Sequence, residues 1–390
     1  MLRDLSFSAV FMGALAAFVG FASSFAVVLE GLRAMGATEA QAASGLAAIA
    51  FAKGVTAIFL SAKTRIPISL AWSTPGAALL VTTGALPGGF AEAVGAFIIC
   101  GALLAATGAF RPLAELVEKI PTPLANALLA GVLLGLCLAP FQAIAFNPLW
   151  GVAILGGWLI GGRIGKVWSA PGAFLAFVAV VVFGVRPPNE AFAALGAAAI
   201  TEPVFTAPIF TIAGLIGVAA PLYVVTMAGQ NLPGAGVLKA HGYPPKTSLS
   251  IGLSGLASAL AAPFGGHACN YAAITAAMCM GEDAHSDPKR RYWAAITAGF
   301  GYVLLGVFAG LATAFVALAP SILIQAVAGL ALLGAFAGAA FGAFQDSEYR
   351  EASAVTLLLT ASGLSFFGVS GAFWGLLAGG AVYAIRRRSS

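Results

Sequence analysis

The chain has 390 residues, of which 60% are hydrophobic and only 8% charged, and its net charge is +5. A soluble domain carries about 25% charged residues, so a mean hydropathy of +0.98 excludes a soluble enzyme or a nucleic-acid-binding domain. The apolar runs follow one another end to end, which describes an all-α polytopic membrane protein whose solvent is the lipid bilayer.

In chain order, fourteen candidate spans are expected: seven at roughly 7–29, 40–61, 66–83, 89–110, 122–145, 148–162 and 167–185, and seven at roughly 207–231, 247–262, 264–280, 292–318, 320–343, 352–367 and 369–385. The first is read as a retained span, since no small-residue cleavage site follows Met1-Leu-Arg-Asp. With fourteen spans, sixteen of the nineteen Lys and Arg residues fall on the side that holds both termini. The other side holds Arg33 and Arg186, and Lys53 alone lies within a span. This bias places both termini in the cytoplasm, with the chain in a bacterial-type cytoplasmic (inner) membrane.

The two halves resemble each other. Pro121-Thr-Pro-Leu-Ala-Asn-Ala-Leu-Leu-Ala-Gly-Val-Leu-Leu-Gly135 aligns with Pro320-Ser-Ile-Leu-Ile-Gln-Ala-Val-Ala-Gly-Leu-Ala-Leu-Leu-Gly334, with Asn126 facing Gln325. At nearly the same offset, Pro67 to Ala77 in span 3 falls on Pro263 to Ala273 in span 10. Seven is odd, so the second half enters the membrane from the opposite side: a 7+7 inverted repeat.

Spans 3 and 10 are the broken ones. Pro67, Ser73, Thr74, Pro75 and Gly76 interrupt the third, and its helix is expected to restart near Ser73–Pro75. Pro263, Gly265, Gly266, His267 and Asn270 interrupt the tenth, with a restart expected near Gly266–Asn270. Irregular backbone persists in lipid only where protein or a water-filled cavity surrounds it. Two half-helix N-termini near the midplane, each with free N–H groups and a positive dipole end, form a place for an anion; the bland alternative is a pair of Pro-kinked packing helices. In span 8, Thr226 and Gln230 lie four apart on one helical face, followed by Asn231. These line the same cavity or serve as interhelical hydrogen-bonding glue. Tyr223 offers a ring and a hydroxyl, or packs.

No Asp or Glu falls well inside a span; Glu30, Glu92 and Glu118 sit near ends. His267 and Lys53 are the deepest ionisable groups, and such groups are functional candidates by default. His267 titrates near physiological pH and is the candidate proton carrier, against a packing histidine. Lys53 is expected to snorkel or to pair with a carboxylate such as Glu30. The loop Gly281-Glu-Asp-Ala-His-Ser-Asp-Pro-Lys-Arg-Arg-Tyr-Trp293, with His285, matches no usual metal-ligand spacing. Cys100, Cys137, Cys269 and Cys279 form no CxxC pair. There is no P-loop, and no GxGxxG follows a strand. No cofactor, no metal, no catalytic residue and no built-in ATPase are expected.

Three stretches carry a family resemblance: Pro263-Phe-Gly-Gly-His-Ala-Cys-Asn-Tyr-Ala-Ala-Ile-Thr-Ala-Ala-Met-Cys-Met-Gly281, the later Asp287-Pro-Lys-Arg-Arg-Tyr-Trp293, and Thr226-Met-Ala-Gly-Gln-Asn-Leu-Pro-Gly234. Together the chain resembles the BenE-type benzoate:proton symporter family along nearly its whole length and, more distantly, the uracil/xanthine permeases and sulfate-type anion transporters. The resemblance implies short strands before the half-helices of spans 3 and 10. It also implies a core domain at 1–110 and 205–318, a gate domain at 111–204 and 319–390, and a solute bound between them. Relatives of that architecture are often dimers, so a homodimer is admitted, with no interface legible in the sequence. Nucleobase permeases place acidic residues on spans 8 and 10. Here Gly229-Gln230-Asn231 and Cys269-Asn270 stand instead, which argues against a nucleobase.

The expected function is secondary active transport: proton-coupled uptake of benzoate or a related aromatic carboxylate by alternating access. The expected binding set is Ser73, Thr74, Gly76, Tyr223, Thr226, Gln230, Asn231, Gly265, Gly266, His267 and Asn270, with His267 carrying the proton. The alternatives are a permease or exchanger for another small anion or a nucleobase, a channel or membrane scaffold, and, last, a membrane-embedded enzyme, for which no nucleophile–base pair is visible.

Overall fold

The structure is a computed structural model that describes residues 4–110, 112, 120–165, 168–196, 198–272, 274–366 and 369–387. Arg3, Arg111, Lys119, Lys166 and Arg388 of the charge bias, Glu118, and Ala273 of the repeat alignment lie outside the described residues.

Hydrophobic stretches become helices wherever no residue breaks the ladder. The first span is α1 (Phe7–Ala22) and α2 (Phe25–Ala34). They part at Ser23–Ser24, whose hydroxyls both donate to the Gly20 carbonyl. Helix α3 (Glu39–Thr64) opens on a capping box between Thr38 and Gln41 and ends at Arg65 in the left-handed region. At 1.5 Å per residue it is about 39 Å long, more than the hydrocarbon thickness. Strand β1 (Leu70–Trp72), α4 (Thr74–Thr83), α5 (Gly89–Ala109), α6 (Thr122–Phe146), α7 (Pro148–Ile164) and α8 (Ser169–Val185) complete the first half.

The second half opens with α9 (Ile212–Ala240), which contains two π-helical turns, Leu215–Ala219 and Met227–Asn231. There follow α10 (Thr247–Ala261), β2 (Cys269–Tyr271), α11 (Ile274–Met280), α12 (Tyr292–Val307), α13 (Ala309–Val316), α14 (Ser321–Phe344), α15 (Arg350–Ala361) and α16 (Gly371–Arg387). Among the described residues, seven helices are long and apolar enough to cross a membrane, or eight if α12 and α13, bent by 56° to each other, form one span. The other segments are shorter helices or strand–half-helix units, and the full number of crossings is not fixed by helix length.

The packing repeats with the sequence halves. Helix α5 packs on α10 and α3 on α12, two contacts that exchange under a seven-span shift; so do α7 on α8 and α15 on α16. Helix α6 on α14 and β1 on β2 map onto themselves, as pairs astride the pseudo-two-fold axis must. Close approach requires small residues. A side chain at Gly54 would run into the Gly299 carbonyl across the α3–α12 contact, and one at Gly101 into Ala259 across α5–α10.

Neither broken segment could survive in lipid alone, because a strand leaves its N–H and C=O groups unpaired. Here each break satisfies the other. The strands pair antiparallel, with Leu70 opposite Tyr271, Ala71 opposite Asn270 and Trp72 opposite Cys269. The ribbon is extended at both ends, where Ser73 N–H donates to the Ala268 carbonyl (2.9 Å) and Ala272 N–H to the Ser69 carbonyl (3.0 Å).

Candidate functional site

Helix α4 starts where the sequence places it. Ser73 is its N-cap, accepting from Gly76 N–H at 3.1 Å, and Pro75 sits in the first turn, where its missing N–H costs nothing. The Ser73 carbonyl accepts from Ala77 N–H (2.8 Å). The terminus is therefore less open than expected. Pro75 has no donor and Gly76 is capped, which leaves the Thr74 N–H as the first-turn donor without a partner among the described residues. Thr74 is also the one half-buried residue in an otherwise buried run from Trp72 to Leu80.

The tenth span differs from expectation. Its helix restarts at Ile274, not near Gly266–Asn270, because residues 269–271 are held extended by β1. Gly265 takes φ +90° at the end of a 3-10 turn, with its backbone against Gly45 of α3. Its N–H donates to the Ala262 carbonyl (2.8 Å) and that of Gly266 to Ala261 (3.1 Å). Both glycines therefore shape the turn and have no donor left for a solute. Helix α11 spans seven residues, too few for a dipole end of its own.

Between the breaks lies a polar knot. His267 and Asn270 are fully buried. The His267 Nε2 lies 3.1 Å from the Ser73 carbonyl. A carbonyl can only accept, so Nε2 carries the hydrogen and Nδ1 of the neutral ring is an acceptor. That Nδ1 is buried and has no partner among the described residues. Phe97 packs edge-on against the imidazole, with ring centroids 6.4 Å apart. Turned to suit its neighbours, the Asn270 carboxamide donates to the Tyr271 carbonyl (2.8 Å) and accepts from Ser73 N–H (3.1 Å).

Helix α9 completes the knot through its second π turn. Thr226 shares a 2.8 Å hydrogen bond with the Ser73 hydroxyl, and the Asn231 Oδ1 accepts from Tyr271 N–H at 3.0 Å. The two inward residues are thus five apart, the hydrogen-bond spacing of a π turn, rather than Thr226 and Gln230 four apart. The extra residue in the turn leaves Gln230 half-buried, its side chain without a hydrogen bond among the described residues. Beside it, Gly229 lies close to Pro75 of α4 and Leu129 of α6. Gly229, next to Gln230 in the chain, thus packs beside Pro75, the residue that follows Thr74. Tyr223 turns away, sharing a 2.7 Å hydrogen bond with Thr107 of α5.

The expected Lys53–Glu30 pair does not form. Glu30 bonds Arg33 (3.2 Å) on its own helix and accepts from the Gln325 carboxamide of α14 (2.9 Å). Lys53, 1% exposed, places its Nζ 3.3 Å from the centre of the Trp72 ring and 3.6 Å from that of Tyr302. The residue types alone give little signal for this cage, since Trp72 and Tyr302 look like packing aromatics. Ser258, whose hydroxyl accepts from Cys269 N–H at 2.7 Å, is equally hard to single out in a small-residue helix.

A buried ribbon joining two broken spans is the kind of arrangement that marks solute sites in transporters, and comparison with known proteins decides the family. A family model described as BenE, benzoate membrane transport protein, matches residues 3–385. The chain belongs to the BenE benzoate membrane transport family. It is 39% identical over 383 residues to the inner membrane protein YdcO of Escherichia coli (strain K12), covering 96% of this chain and 94% of that protein. It is 35% identical over 386 residues to a benzoate membrane transport protein of Acinetobacter baylyi, covering 98% and 96%. Among solved structures, the transmembrane domain of the cyanobacterial bicarbonate transporter BicA matches with TM-score 0.58 at 15% identity, covering 98% of each chain. SLC26A9 matches with TM-score 0.55 at 12% identity, covering 96% of this chain and 65% of that one. These likenesses show the fold. This BenE-family chain is a multi-pass membrane transporter and not an enzyme.

Proposed function

We propose that the protein takes up benzoate, or a closely related aromatic carboxylate, together with a proton. The observation that carries the reading is the buried, unpartnered Nδ1 of His267, whose other ring nitrogen is tied to the cap residue of α4. The substrate carboxylate would sit at Thr74 and Gln230, beside the α4 terminus, with Leu129 and Pro75 as apolar walls for the ring. A helix terminus offers an anion roughly 0.3–2 kcal/mol, far less than the cost of dehydrating an isolated carboxylate. A proton delivered to His267 makes up part of that difference, which gives a physical reason for coupling.

Alternating access follows from the domain division, residues 1–110 and 205–318 moving as a core against a gate of 111–204 and 319–390. Two observations support it. Leu129 and Gly229 face each other across the division, and the Gln325–Glu30 hydrogen bond spans it. A cytoplasmic-membrane location with both termini inside is supported by the Lys/Arg bias and by the name of the Escherichia coli relative.

One proton with one monovalent anion moves no net charge. A membrane potential, worth about 2.3 kcal/mol per charge per 100 mV, would then not drive uptake, whereas a pH gradient supplies about 1.4 kcal/mol per unit. The test is labelled benzoate uptake into proteoliposomes under each gradient, with uracil, sulfate and salicylate as competitors. Accumulation driven by an inward-directed proton gradient, without current, is expected, with competition by salicylate alone. Sustained inward current rules out one-to-one coupling, and competition by sulfate or uracil overturns the substrate assignment.

A further inference from the structure

Lys53 lies fourteen residues into the 26-residue α3, about 21 Å along it and so near mid-membrane. A lysine there is costly unless something holds or uses it. Snorkelling is excluded by its 1% exposure. A carboxylate partner is excluded among the described residues, because Glu30 is engaged by Arg33 and Gln325. Among the described residues the titratable groups around it are His267, Cys269 and Tyr302, none of them a carboxylic acid. Two ring faces hold the amine where their negative quadrupoles favour an ammonium.

The position matters more than the burial. Trp72, under the amine, is the residue immediately before Ser73, the cap of α4. Tyr302, the other ring, reaches with Thr275 of α11 to one spot beside Gly20 of α1. The amine is therefore held behind the ribbon, against the residue that precedes the α4 cap, and no carboxylate among the described residues pairs with it. A cation beside a helix N-terminus is unfavourable until an anion joins them. His267, on the strand side of the same cap, adds an unpartnered polar atom that is fully buried.

We propose that the Lys53 ammonium is the fixed positive charge that selects a carboxylate over a neutral aromatic at the α4 terminus. This rests on the aromatic-carboxylate reading above and adds a determinant to it. Lys53 acts through space, behind Trp72, so it is a specificity-determining residue and not a contact residue. In a water-poor interior such a charge keeps most of its reach.

The experiment compares benzoate and benzamide binding to purified full-length protein, by calorimetry, in wild type, Lys53→Met and Lys53→Arg. Lys53→Met is expected to lose at least about tenfold in benzoate affinity with benzamide affinity unchanged. Lys53→Arg is expected to stay within about threefold for both, since it keeps the charge and stacks on aromatic faces. A folded Lys53→Met that binds benzoate as wild type does overturns the proposal. If Lys53→Met does not fold, Lys53→Arg decides: retention of benzoate affinity with discrimination against benzamide supports the charge role, and loss of that discrimination sinks it. If wild type binds another monovalent anion in place of benzoate, the substrate reading fails, and the same variants test Lys53 with that anion. A wild type that binds no anion overturns both.

Discussion

The two broken spans have the same backbone plan and different chemistry. Each runs strand, turn of chain, half-helix, and the strands satisfy each other across the pseudo-two-fold axis. The first break is neutral and closed: a serine cap and a proline use up most of the α4 terminus, leaving Thr74 open. The second is built on Gly265 in the left-handed region and carries His267, whose Nδ1 is buried and unpartnered. The shared plan answers to the membrane, which leaves no strand edge unpaired. The membrane does not dictate side chains, so one copy is a capped helix start and the other carries the histidine proposed above to take the proton.

That division of labour can be broken experimentally. The largest effect is expected from His267→Gln, which should abolish proton-driven benzoate accumulation in proteoliposomes while leaving benzoate exchange intact. Unchanged pH dependence of uptake in that variant would take the histidine out of the coupling. Next, Asn231→Leu strands the buried Tyr271 N–H, which now has its acceptor at 3.0 Å. A loss of about 1–3 kcal/mol is expected, read as reduced thermal stability. Ser73→Ala on the first break removes the Gly76 cap and the Thr226 contact and should cost about 0.5–2 kcal/mol. Wild-type stability in either variant would mean that the ribbon does not depend on its polar knot.

The smallest effect lies outside the ribbon. The Tyr292 hydroxyl donates to Asp4 at 2.9 Å, and this bond, with Arg65 nearby, holds the Asp4 carboxyl below its ordinary range. A folded-state value below the unfolded one means that the contribution is present above the ordinary carboxylate range and is lost as pH falls through the folded value. Tyr292→Phe should therefore slightly lower thermal stability at neutral pH and leave it unchanged in acid. An equal loss at both values would point to packing of the Tyr292 ring instead.

The amino-acid sequence by itself determined the membrane class, the broken spans and the start of α4. Composition fixes the solvent. Proline and serine at 73–75 fix a helix start through local geometry that needs no neighbour. The repeat was legible because Pro, Leu, Ala and Gly recur at one offset, and the family because its motif is contiguous in the chain. What required the tertiary structure is what depends on partners far away in sequence. Strand β2 exists only because β1 lies 199 positions earlier in register, Ala71 against Asn270, and so the tenth span restarts at Ile274 and the two glycines lose their donors to a turn. The π turn in α9 made Asn231, not Gln230, the companion of Thr226, since helical pitch there follows the contacts with Ser73 and Tyr271. The Lys53 cage joins α3, β1 and α12. Neighbour rules along one helix cannot reveal it, because what holds a buried amine is set by the groups that packing brings around it.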